Sequence, residues 1–356
     1  MKILVLRFSS IGDIVLTTPV VRALAQQVPG GEVHFATKSS YRGLLEPNPY
    51  ITKVHCLTGS LGELIQTLKA EHFDYIIDLH NNVRTRLIKL RLGVKSSSFD
   101  KLNWQKWLLV NFKIDKLPRV HIVDRYLAAA AALGVKNDGR GLDYFIPKGQ
   151  EVDLATLPAP FGRGGGYVAV AIGAQHATKR LPVEKLIELC AKLARPVMLL
   201  GGPEDESVGH IIEEAFVTQA ATARPPAATI PESPYYFPKN PSGYLSTQLL
   251  IVNGCGRYSL HQSASLLRQA DFVVSHDTGL MHIAAAFGKE IFSVWGNTVP
   301  AFGMYPYRTE FKVLEVTGLS CRPCSKIGFD KCPQSHFKCM RDQLLNLDLP
   351  PTRDGR

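Results

Sequence analysis

Two successive series of apolar strands that alternate with helices place the strongest constraint on the fold of this chain. In the first series, residues 2–8 predict a buried strand and residues 14–28 have the apolar spacing of a helix. The pattern restarts at residues 167–172, after a stretch from 134 to 166 that is rich in glycine and proline. Because alternating strands and helices form parallel sheets with helices on both faces, we predict a two-lobed α/β protein with a cleft between the lobes.

The same periodicity predicts the remaining elements of each lobe. In the first lobe it predicts strands at 33–37, 54–57 and 75–79 and helices at 61–71, 83–92 and 122–133. In the second it predicts strands at 197–200, 249–252, 272–274 and 290–295 and helices at 183–193, 206–216, 260–269 and 280–287. Residues 218–247 are aperiodic, so we expect a flexible surface insertion there.

The charge of the chain limits its partners. A formal net charge of +10 and a pI near 9.2 suggest a polyanion, which can be nucleic acid, an anionic membrane surface or a phosphorylated substrate. The chain lacks zinc-finger spacings and ribonucleoprotein motifs, which argues against nucleic acid. It also lacks a run of ~20 apolar residues and a signal-peptide core. We expect a cytoplasmic protein without a transmembrane segment, one that can touch a membrane through its basic surface.

Residues 272–282 carry the clearest candidate for a ligand site. A buried strand runs into Ser-His-Asp-Thr-Gly and then into a helix, so the turn lies at the carboxyl edge of a parallel sheet, where α/β proteins bind ligands. The free N–H groups of a helix N-terminus attract phosphate, and Asp277, Thr278 and Gly279 form this one. His282 lies on the same helix face as Thr278. The alternative is an ordinary capped helix with a surface histidine.

Three further turns that follow predicted strands hold candidate residues. Asp13 is either a helix cap or a general base that faces a substrate hydroxyl. Thr178 and Lys179 come just before a helix with Pro182 in its first turn, and they suit a diphosphate, although a solvated basic loop is the alternative. Glu204 lies at another helix start, where it is a candidate site residue or an acid that complements the helix dipole.

Four cysteines cluster near the end of the chain, at Cys321, Cys324, Cys332 and Cys339. A C-x-x-C pair followed by two cysteines resembles a structural metal site, yet the gaps of seven and six residues are not a standard spacing. We predict a structural role, with or without a metal, rather than catalysis.

The chain contains no D-x-D sequence, which is a common way to hold a metal on a nucleotide-sugar diphosphate. A diphosphate bound here would therefore be neutralised by backbone N–H groups together with Lys179, Thr278 and His282. We expect no metal at the catalytic site and no cofactor.

Several of these stretches, taken in order, resemble the heptosyltransferase family, glycosyltransferase family nine. The matching residues are Lys2-Ile-Leu-Val-Leu-Arg-Phe-Ser-Ser-Ile-Gly-Asp-Ile-Val-Leu-Thr-Thr-Pro19, Lys179-Arg-Leu-Pro182, Gly201-Gly-Pro-Glu204 and Ser275-His-Asp-Thr-Gly-Leu-Met-His282. Residues 253–260 and 321–340 also resemble family segments. The resemblance spans nearly the whole chain, and its first and last blocks are specific as a pair because they occur in the right order and lobes.

The resemblance implies a GT-B architecture of two Rossmann-like doubly wound parallel-sheet lobes. Residues 1–160 would bind the acceptor, residues 161–340 the donor, and residues 341–356 would form a tail whose helix at 341–347 packs back on the first lobe. The implied reaction is inverting transfer of a heptose from ADP-heptose to the phosphorylated inner core of lipopolysaccharide, a lipid A–Kdo type of acceptor. The enzyme would act in the cytoplasm or as a peripheral protein on the inner face of the inner membrane.

The resemblance also implies roles for single residues. Asp13 would be the base that deprotonates the acceptor hydroxyl. The diphosphate would be held by Lys179, Asp277, Thr278, Gly279 and His282, with Thr178 nearby and Glu204 on the donor. Arg84 and Arg86, in the basic segment that follows the fourth strand, would bind the acceptor.

The chain departs from the family pattern at Leu181, where a tryptophan commonly precedes the proline, and 218–247 is longer than usual. Two other functions remain open. One is a glycosyltransferase of the same fold with another nucleotide-sugar donor, such as a UDP-sugar, or another acceptor. The other is a non-catalytic protein that binds nucleotides or phosphorylated ligands.

Overall fold

The computed structural model describes residues 1–158, 161, 166–222 and 250–349, with residues 218–222 described by their backbone only. The N-terminal lobe has a five-stranded parallel sheet in the order β3-β2-β1-β4-β5. Its strands are β1 (Lys2–Leu6), β2 (Glu32–Lys38), β3 (Lys53–Leu57), β4 (Tyr75–Asp78) and β5 (Ser96–Ser98). Its helices are α1 (Ile11–Val15), α2 (Thr18–Gln27), α3 (Arg42–Leu45), α4 (Leu61–Ala70), α5 (Val83–Leu92), α6 (Asn103–Phe112) and α7 (Ile122–Ala130).

The C-terminal lobe has a six-stranded parallel sheet in the order β11-β10-β9-β6-β7-β8. Its strands are β6 (Val168–Ala171), β7 (Val197–Leu200), β8 (Ile251–Asn253), β9 (Phe272–His276), β10 (Ile291–Trp295) and β11 (Phe311–Glu315). Its helices are α8 (Val183–Leu193), α9 (Glu206–Thr222), α10 (Leu260–Gln269), α11 (Gly279–Ala286) and α12 (Lys338–Arg341). Two parallel sheets in successive halves of the chain confirm the predicted two-lobed α/β fold.

The central strands explain why the sequence shows continuous apolar runs. Every residue of β6, β9 and β10 is buried, as are the last four of β1. Strands covered by helices on both faces bury successive side chains without alternation. The apolar runs of the sequence therefore mark the middle of each sheet.

The helix predicted at 14–28 is helical over most of its length but is not continuous, because the structure has two helices there, α1 and α2, with a break at Leu16 and Thr17. Pro19 causes the break: it has no N–H to donate to the carbonyl of Val15, and its ring would clash with that carbonyl. The hydroxyl of Thr18 donates to the Val15 oxygen instead, at 2.8 Å. The interruption makes α1 a short separate element at the carboxyl end of β1.

The predicted C-terminal helix at 341–347 is wrong. Helix α12 ends at Arg341, and residues 343–349 run without helical structure along the C-terminal lobe. Lys185 and Lys192 of α8 donate to the carbonyls of Gln343 and Leu344 at 2.9 and 2.6 Å. The side chain of Leu345 is buried in the core of the same lobe. The described part of the tail therefore packs on the C-terminal lobe, whereas the N-terminal lobe was expected.

Part of the predicted organisation lies outside the described residues. Helix α9 reaches Thr222, so the first residues of the predicted insertion are helical, and residues 223–249 are not described. The boundary at 160 and 161 stays a prediction, since residues 159–160 and 162–165 are also outside the described ranges. Within those ranges, no helix combines the length and the hydropathy that a bilayer crossing requires.

Candidate active site

The candidate site is a cleft of about 990 Å³ lined by residues of both lobes. In the C-terminal sheet, β6 pairs with β9 at the point where the strand order reverses, and the turns after these two strands both reach the cleft. Open α/β sheets bind ligands at such a reversal, outside the carboxyl ends of the strands. The lining contains Asp13, Lys179, Glu204, Asp277, Thr278, Gly279 and His282 from the predicted set.

Asp13 lies in α1 close after β1, and its side chain contacts Ser10 and Arg7 through one oxygen. Its Oδ2 accepts from the N–H and the hydroxyl of Ser10 at 3.1 and 2.9 Å and pairs with the Nη2 atom of Arg7 at 2.7 Å. Arg7 is itself fixed, because its Nη1 donates to the hydroxyl of Tyr126 at 3.0 Å. The carboxylate is thus held in one orientation with Oδ1 left for a ligand.

The electrostatic surroundings of Asp13 keep it ionised. Burial by itself would raise the pKa of this carboxyl, but the Arg7 guanidinium and the two bonds from Ser10 outweigh burial, so the pKa lies below its usual value. The sequence does not predict this role of Arg7, since an arginine after an apolar strand does not indicate which acid it will contact.

The two lobes meet where α1 packs on the start of α11. A Cβ atom added to Gly12 would lie 2.7 Å from Cδ2 of His282, and one added to Gly279 would lie 2.9 Å from Cγ2 of Ile11. Side chains at either position would push the helices apart. Glycine at both positions therefore brings the Asp13 turn of one lobe against the Asp277–His282 turn of the other.

His282 is buried at this junction and uncharged. Burial lowers its pKa to about 4, more strongly than the nearby carboxylates of Asp277 and Asp13 raise it. Its Nδ1 atom is buried and has no hydrogen-bond partner among the described residues. The surface histidine of the alternative interpretation is thus not what the structure contains, although a role toward a ligand stays a prediction.

Lys179 and Asp277 form an ion pair at the mouth of the β6–β9 reversal. The Nζ atom of Lys179 lies 2.6 Å from Oδ2 of Asp277, and the hydroxyl of Thr298 donates to the same oxygen at 3.0 Å. Asp277 therefore holds Lys179 in place, and a carboxylate in that position would repel a diphosphate rather than bind it. A contribution of Asp277 to the donor site has to come through this lysine or through backbone groups.

The remaining donor-site candidates differ in position. Thr278 lines the cleft as the N-cap of α11, and its hydroxyl makes no capping bond but lies 3.4 Å from the hydroxyl of Ser275. Glu204 lines the cleft from the short 3-10 helix Pro203–Asp205. Thr178 does not line it: this residue is buried, and its hydroxyl accepts from the N–H of Phe329 at 2.8 Å. The structure therefore places Thr178 as a tether for the segment that contains Phe329.

Asp205 is a cleft residue that the sequence reasoning did not single out. Its carboxylate is buried, accepts from the Gly202 N–H at 3.0 Å and faces Arg180 at 3.3 Å. Burial raises its pKa above the usual value. Gly201 lies so close that an added Cβ would be 2.7 Å from this carboxylate. Residues 204–206 are three consecutive acids, and the sequence alone does not indicate which of their side chains is buried.

Three lysines supply positive charge to the cleft near Asp13. Lys101 and Lys106 come from the N-terminal lobe and Lys326 from the C-terminal lobe. Burial, with Arg125 and the other two lysines nearby, lowers the pKa of Lys106 to about 8. The sequence contains a basic stretch that reaches Lys106, but it does not indicate which of the basic side chains face the cleft.

Arg84 and Arg86 are not among the residues that line the cleft. The guanidinium of Arg84 lies over the ring of Phe8, 5.3 Å from its centre, and Arg86 is exposed on α5. Their proposed contact with an acceptor stays a prediction, and the structure gives the cleft-side positions to Lys101 and Lys106.

The four C-terminal cysteines are free thiols. The Sγ atom of Cys321 lies 3.8 Å from Nε2 of His336, and burial raises the pKa of Cys339 to about 12. In the ranges that the structure describes, the cysteines do not form a group of three ligand atoms close enough to share an ion. Their structural role stays a prediction.

One group in the described part of the chain has metal-ligand spacing, and it consists of His34, His55 and Glu71. Nδ1 of His34 and Nε2 of His55 are 3.0 Å apart and share a hydrogen bond. Glu71 is paired with Lys53 at 2.5 Å and with Lys2 at 3.6 Å. These contacts satisfy all three side chains, and the group does not line the cleft.

Comparison with known proteins supplies the family. The model of glycosyltransferase family 9 (heptosyltransferase) matches residues 61–225 and 243–331. Lipopolysaccharide heptosyltransferase 1 of Campylobacter coli is 21% identical over 330 residues, which cover 88% of this chain and 87% of the relative. Lipopolysaccharide heptosyltransferase 2 of Escherichia coli K12 is 22% identical, with 85% of this chain and 84% of the relative covered.

Two solved structures share the fold. The family 9 glycosyltransferase of Veillonella parvula superposes with a TM-score of 0.65 at 20% identity, covering 88% of this chain and 86% of its own. The E. coli ADP-heptose lps heptosyltransferase II superposes with a TM-score of 0.63 at 21% identity, covering 96% and 98%. These likenesses confirm the expected GT-B architecture, and the family match identifies the activity class. The chain belongs to glycosyltransferase family 9, the heptosyltransferase family, and is a glycosyltransferase.

Proposed function

We propose that this chain transfers a heptose from ADP-heptose to the phosphorylated inner core of lipopolysaccharide, with inversion at the anomeric carbon. The observation that carries the proposal is the position of Asp13, whose carboxylate lines the same cleft as the N-terminus of α11 in the opposite lobe. A base on one side and a phosphate-binding helix start on the other are what an in-line displacement requires. The similarity to a lipopolysaccharide heptosyltransferase and to an ADP-heptose lps heptosyltransferase supports the choice of donor and acceptor.

The donor diphosphate would bind at the N-terminus of α11. Its oxygens would accept from the first N–H groups of the helix, from the hydroxyl of Thr278 and from Lys179. An ammonium has three donors, so Lys179 can keep its bond to Asp277 and still donate to a phosphate. Positive charge from the lysine and the helix dipole would stabilise the departing ADP, so the proposal requires no metal.

The acceptor would bind on the Asp13 side. Its hydroxyl oxygen forms the new bond to the anomeric carbon of the heptose, the bond from that carbon to the diphosphate breaks, and the hydroxyl proton passes to Oδ1 of Asp13. Because Arg7 keeps the pKa of Asp13 low, the carboxylate is a weak base toward a free hydroxyl. Proton transfer would therefore come late, when the new bond has made that oxygen acidic.

Lys101, Lys106 and Lys326 would hold the negative groups of the acceptor. They line the cleft, and no ion pair joins them to an acid among the described residues. A phosphorylated or carboxylated sugar would supply the missing negative charge. An enzyme with this acceptor would work at the cytoplasmic face of the inner membrane.

Incubation of the purified chain with ADP-heptose and a heptose-free inner-core acceptor tests the proposal by mass spectrometry. We expect the acceptor to gain one heptose and ADP to be released in equal amount, in buffer with or without a chelator. Thermal shift with ADP, UDP and GDP tests the donor, since a ligand of the folded state raises its melting point. A larger shift with UDP would favour another donor, and ADP binding without turnover of ADP-heptose would favour a binding protein.

A further inference from the structure

An aromatic cluster stands in solvent on the outer face of α6. Trp104, Trp107 and Phe112 are 64, 45 and 58% exposed, and Ile114 beyond the helix is 47% exposed. The two indoles stack with their centres 5.0 Å apart, and Phe112 meets Trp107 edge-on at 5.1 Å. We call Trp104, Trp107, Phe112 and Ile114 the aromatic patch. Large apolar groups gathered on a surface mark an interaction site more often than single exposed ones do.

The inner face of α6 shows that the patch is not a loose part of the core. Leu109 is buried there with Leu102 and Phe302, and Lys106 lies over the Phe302 ring at 5.6 Å. Asn103 and Lys106 also line the cleft. The helix that presents the aromatic rings to solvent thus also contributes two residues to the lining of the cleft.

Positive charge is concentrated around the patch. Residues 84–119 contain ten lysines and arginines against two aspartates, a net of +8 within a chain whose net charge is +10. Lys116 is exposed two positions after Ile114 in the sequence, and Arg119 is exposed further on. The ammonium of Lys113 is engaged, because it donates to the carbonyls of Val110 and Pro323 at 2.7 and 2.8 Å. Exposed tryptophans with flanking cations suit the headgroup level of an anionic bilayer, where indoles settle and basic residues meet lipid phosphates.

We propose that the aromatic patch, with the net positive charge of the segment that carries it, docks the protein on an anionic membrane surface, so that the cleft, which α6 also lines, lies close to the lipid. A second copy of the chain is a poorer occupant, because a symmetric contact would bring two strongly basic segments face to face. The inference deepens the proposed function, since a lipid-anchored acceptor would then reach the cleft from the bilayer. Binding of vesicles can nevertheless be measured without any sugar substrate.

Binding of the full chain to vesicles tests the proposal. Vesicles of phosphatidylcholine mixed with phosphatidylglycerol are compared with vesicles of phosphatidylcholine alone. We expect sedimentation with the anionic vesicles and a blue shift of tryptophan emission on binding. The third tryptophan, Trp295, is fully buried, so the shift reports on Trp104 and Trp107. High salt should weaken the binding, because it screens the charge contribution.

The variant with both Trp104→Gln and Trp107→Gln should lose at least tenfold in vesicle affinity and show no emission shift. The matched control is Ile211→Gln on α9 of the other lobe, a residue 50% exposed, which should bind as the original chain does. Transfer to a soluble acceptor should be equal in all three proteins. If none of the three proteins transferred heptose to the soluble acceptor, the proposed function would be contradicted. The vesicle result would still test the docking proposal, because it requires no sugar substrate.

Two results would overturn the docking proposal. One is equal binding of anionic vesicles by the double variant and the original chain. The other is a chain that is dimeric in light scattering and becomes monomeric in the double variant, which would make the patch a contact between copies.

Discussion

Asp13 has to satisfy two requirements that oppose each other, because a base needs affinity for protons and Arg7 reduces it. The guanidinium binds Oδ2 at 2.7 Å and lowers the pKa of the carboxyl. The carboxylate therefore stays charged below its ordinary pKa, and its contacts with Arg7 and Ser10 are made by Oδ2. We infer that the ion pair with Arg7 fixes the orientation of the Asp13 carboxylate and makes it a weaker base.

The Asp13→Asn variant should lose transfer almost completely, by about 10²-fold or more in kcat, because the amide cannot accept the acceptor proton. The shape is retained, so the affinity for ADP measured by calorimetry should stay within about threefold, on the view that the residue acts on the acceptor alone. Turnover close to that of the original enzyme would remove Asp13 from the role of base.

The contrasting variant is Lys179→Met, which removes the ammonium paired with Asp277 and leaves an uncompensated carboxylate beside the donor site. ADP affinity should fall here by about tenfold or more, as expected for a lost charge-assisted bond. If both variants weakened ADP binding equally, the division of the site into a base and a donor lobe would be contradicted.

At this scale the sequence identified residue types and turns, but not partners. The positions of Asp13, Lys179 and His282 in one cleft follow from strand order and could be predicted from the turns that contain them. The placement of Arg7 by the Leu79 carbonyl and the Tyr126 hydroxyl could not, and neither could the contact of Thr178 with Phe329, since these partners are 72 or more residues away in sequence. Pairings of that kind are set by packing rather than by local pattern.

At the scale of elements, the contact between α1 and α11 is the junction on which the site depends. Gly12→Ala should bring a methyl group to within 2.7 Å of the buried His282 ring, which must then shift. We expect kcat/KM to fall by about tenfold or more, because reacting groups displaced by about 1 Å lose much of their advantage. Kinetics with the acceptor and donor varied separately measures the loss.

The matched control for this substitution is Gly62→Ala on α4. A Cβ there meets only the Ser60 hydroxyl oxygen at 3.7 Å, an ordinary contact, and the residue is exposed. Alanine in an exposed helix stabilises by about 0.5–1 kcal/mol relative to glycine, so this variant should keep its activity and gain slightly in melting temperature. Equal loss of activity in both variants would show that the junction has no special role.

The elements themselves were predicted best where the apolar pattern is continuous. Strands at the centre of each sheet and helices such as α5, α8 and α10 appear at the expected positions. The edge strand β5 (Ser96–Ser98) was missed because three serines carry no apolar pattern. Helix α6 was missed because its tryptophans face solvent and hide the apolar periodicity of its buried face. Prediction from apolar periodicity misses elements that have few apolar residues or whose apolar residues face solvent.

At the scale of the whole molecule, several buried histidines make stability depend on pH. Burial lowers the pKa of His55, His80, His276 and His282 to about 4 and that of His121 to about 3, from an ordinary 6.5. Between these values the unfolded chain binds protons that the folded chain does not, so the free energy of unfolding decreases as the pH falls. The contribution of these histidines to the free energy of unfolding is complete above about pH 6.5 and is lost progressively toward pH 4.

We therefore expect the melting temperature to be nearly constant from pH 8 to 7 and to fall steadily below about pH 6.5. Substitution of His121 provides the control. Its Nδ1 accepts from the Val123 N–H at 3.1 Å, and its ring also bonds the Tyr305 carbonyl of the other lobe at 2.8 Å. His121→Asn keeps a capping side chain but cannot titrate, so the dependence on pH should become shallower. A melting temperature that rises on acidification would contradict the sign.

The course of the tail has a mechanical consequence. Because residues 343–349 stay on α8 and the C-terminal lobe, the described chain passes from one lobe to the other without returning. A lobe connected to the other by one stretch of chain can rotate about several axes, whereas a second connection would restrict it to rotation about one axis. The angle between the lobes is then set by side-chain bonds such as Tyr307 to Asp124 at 2.7 Å. A ligand that binds both sides of the cleft would add a connection between the lobes and restrict this rotation.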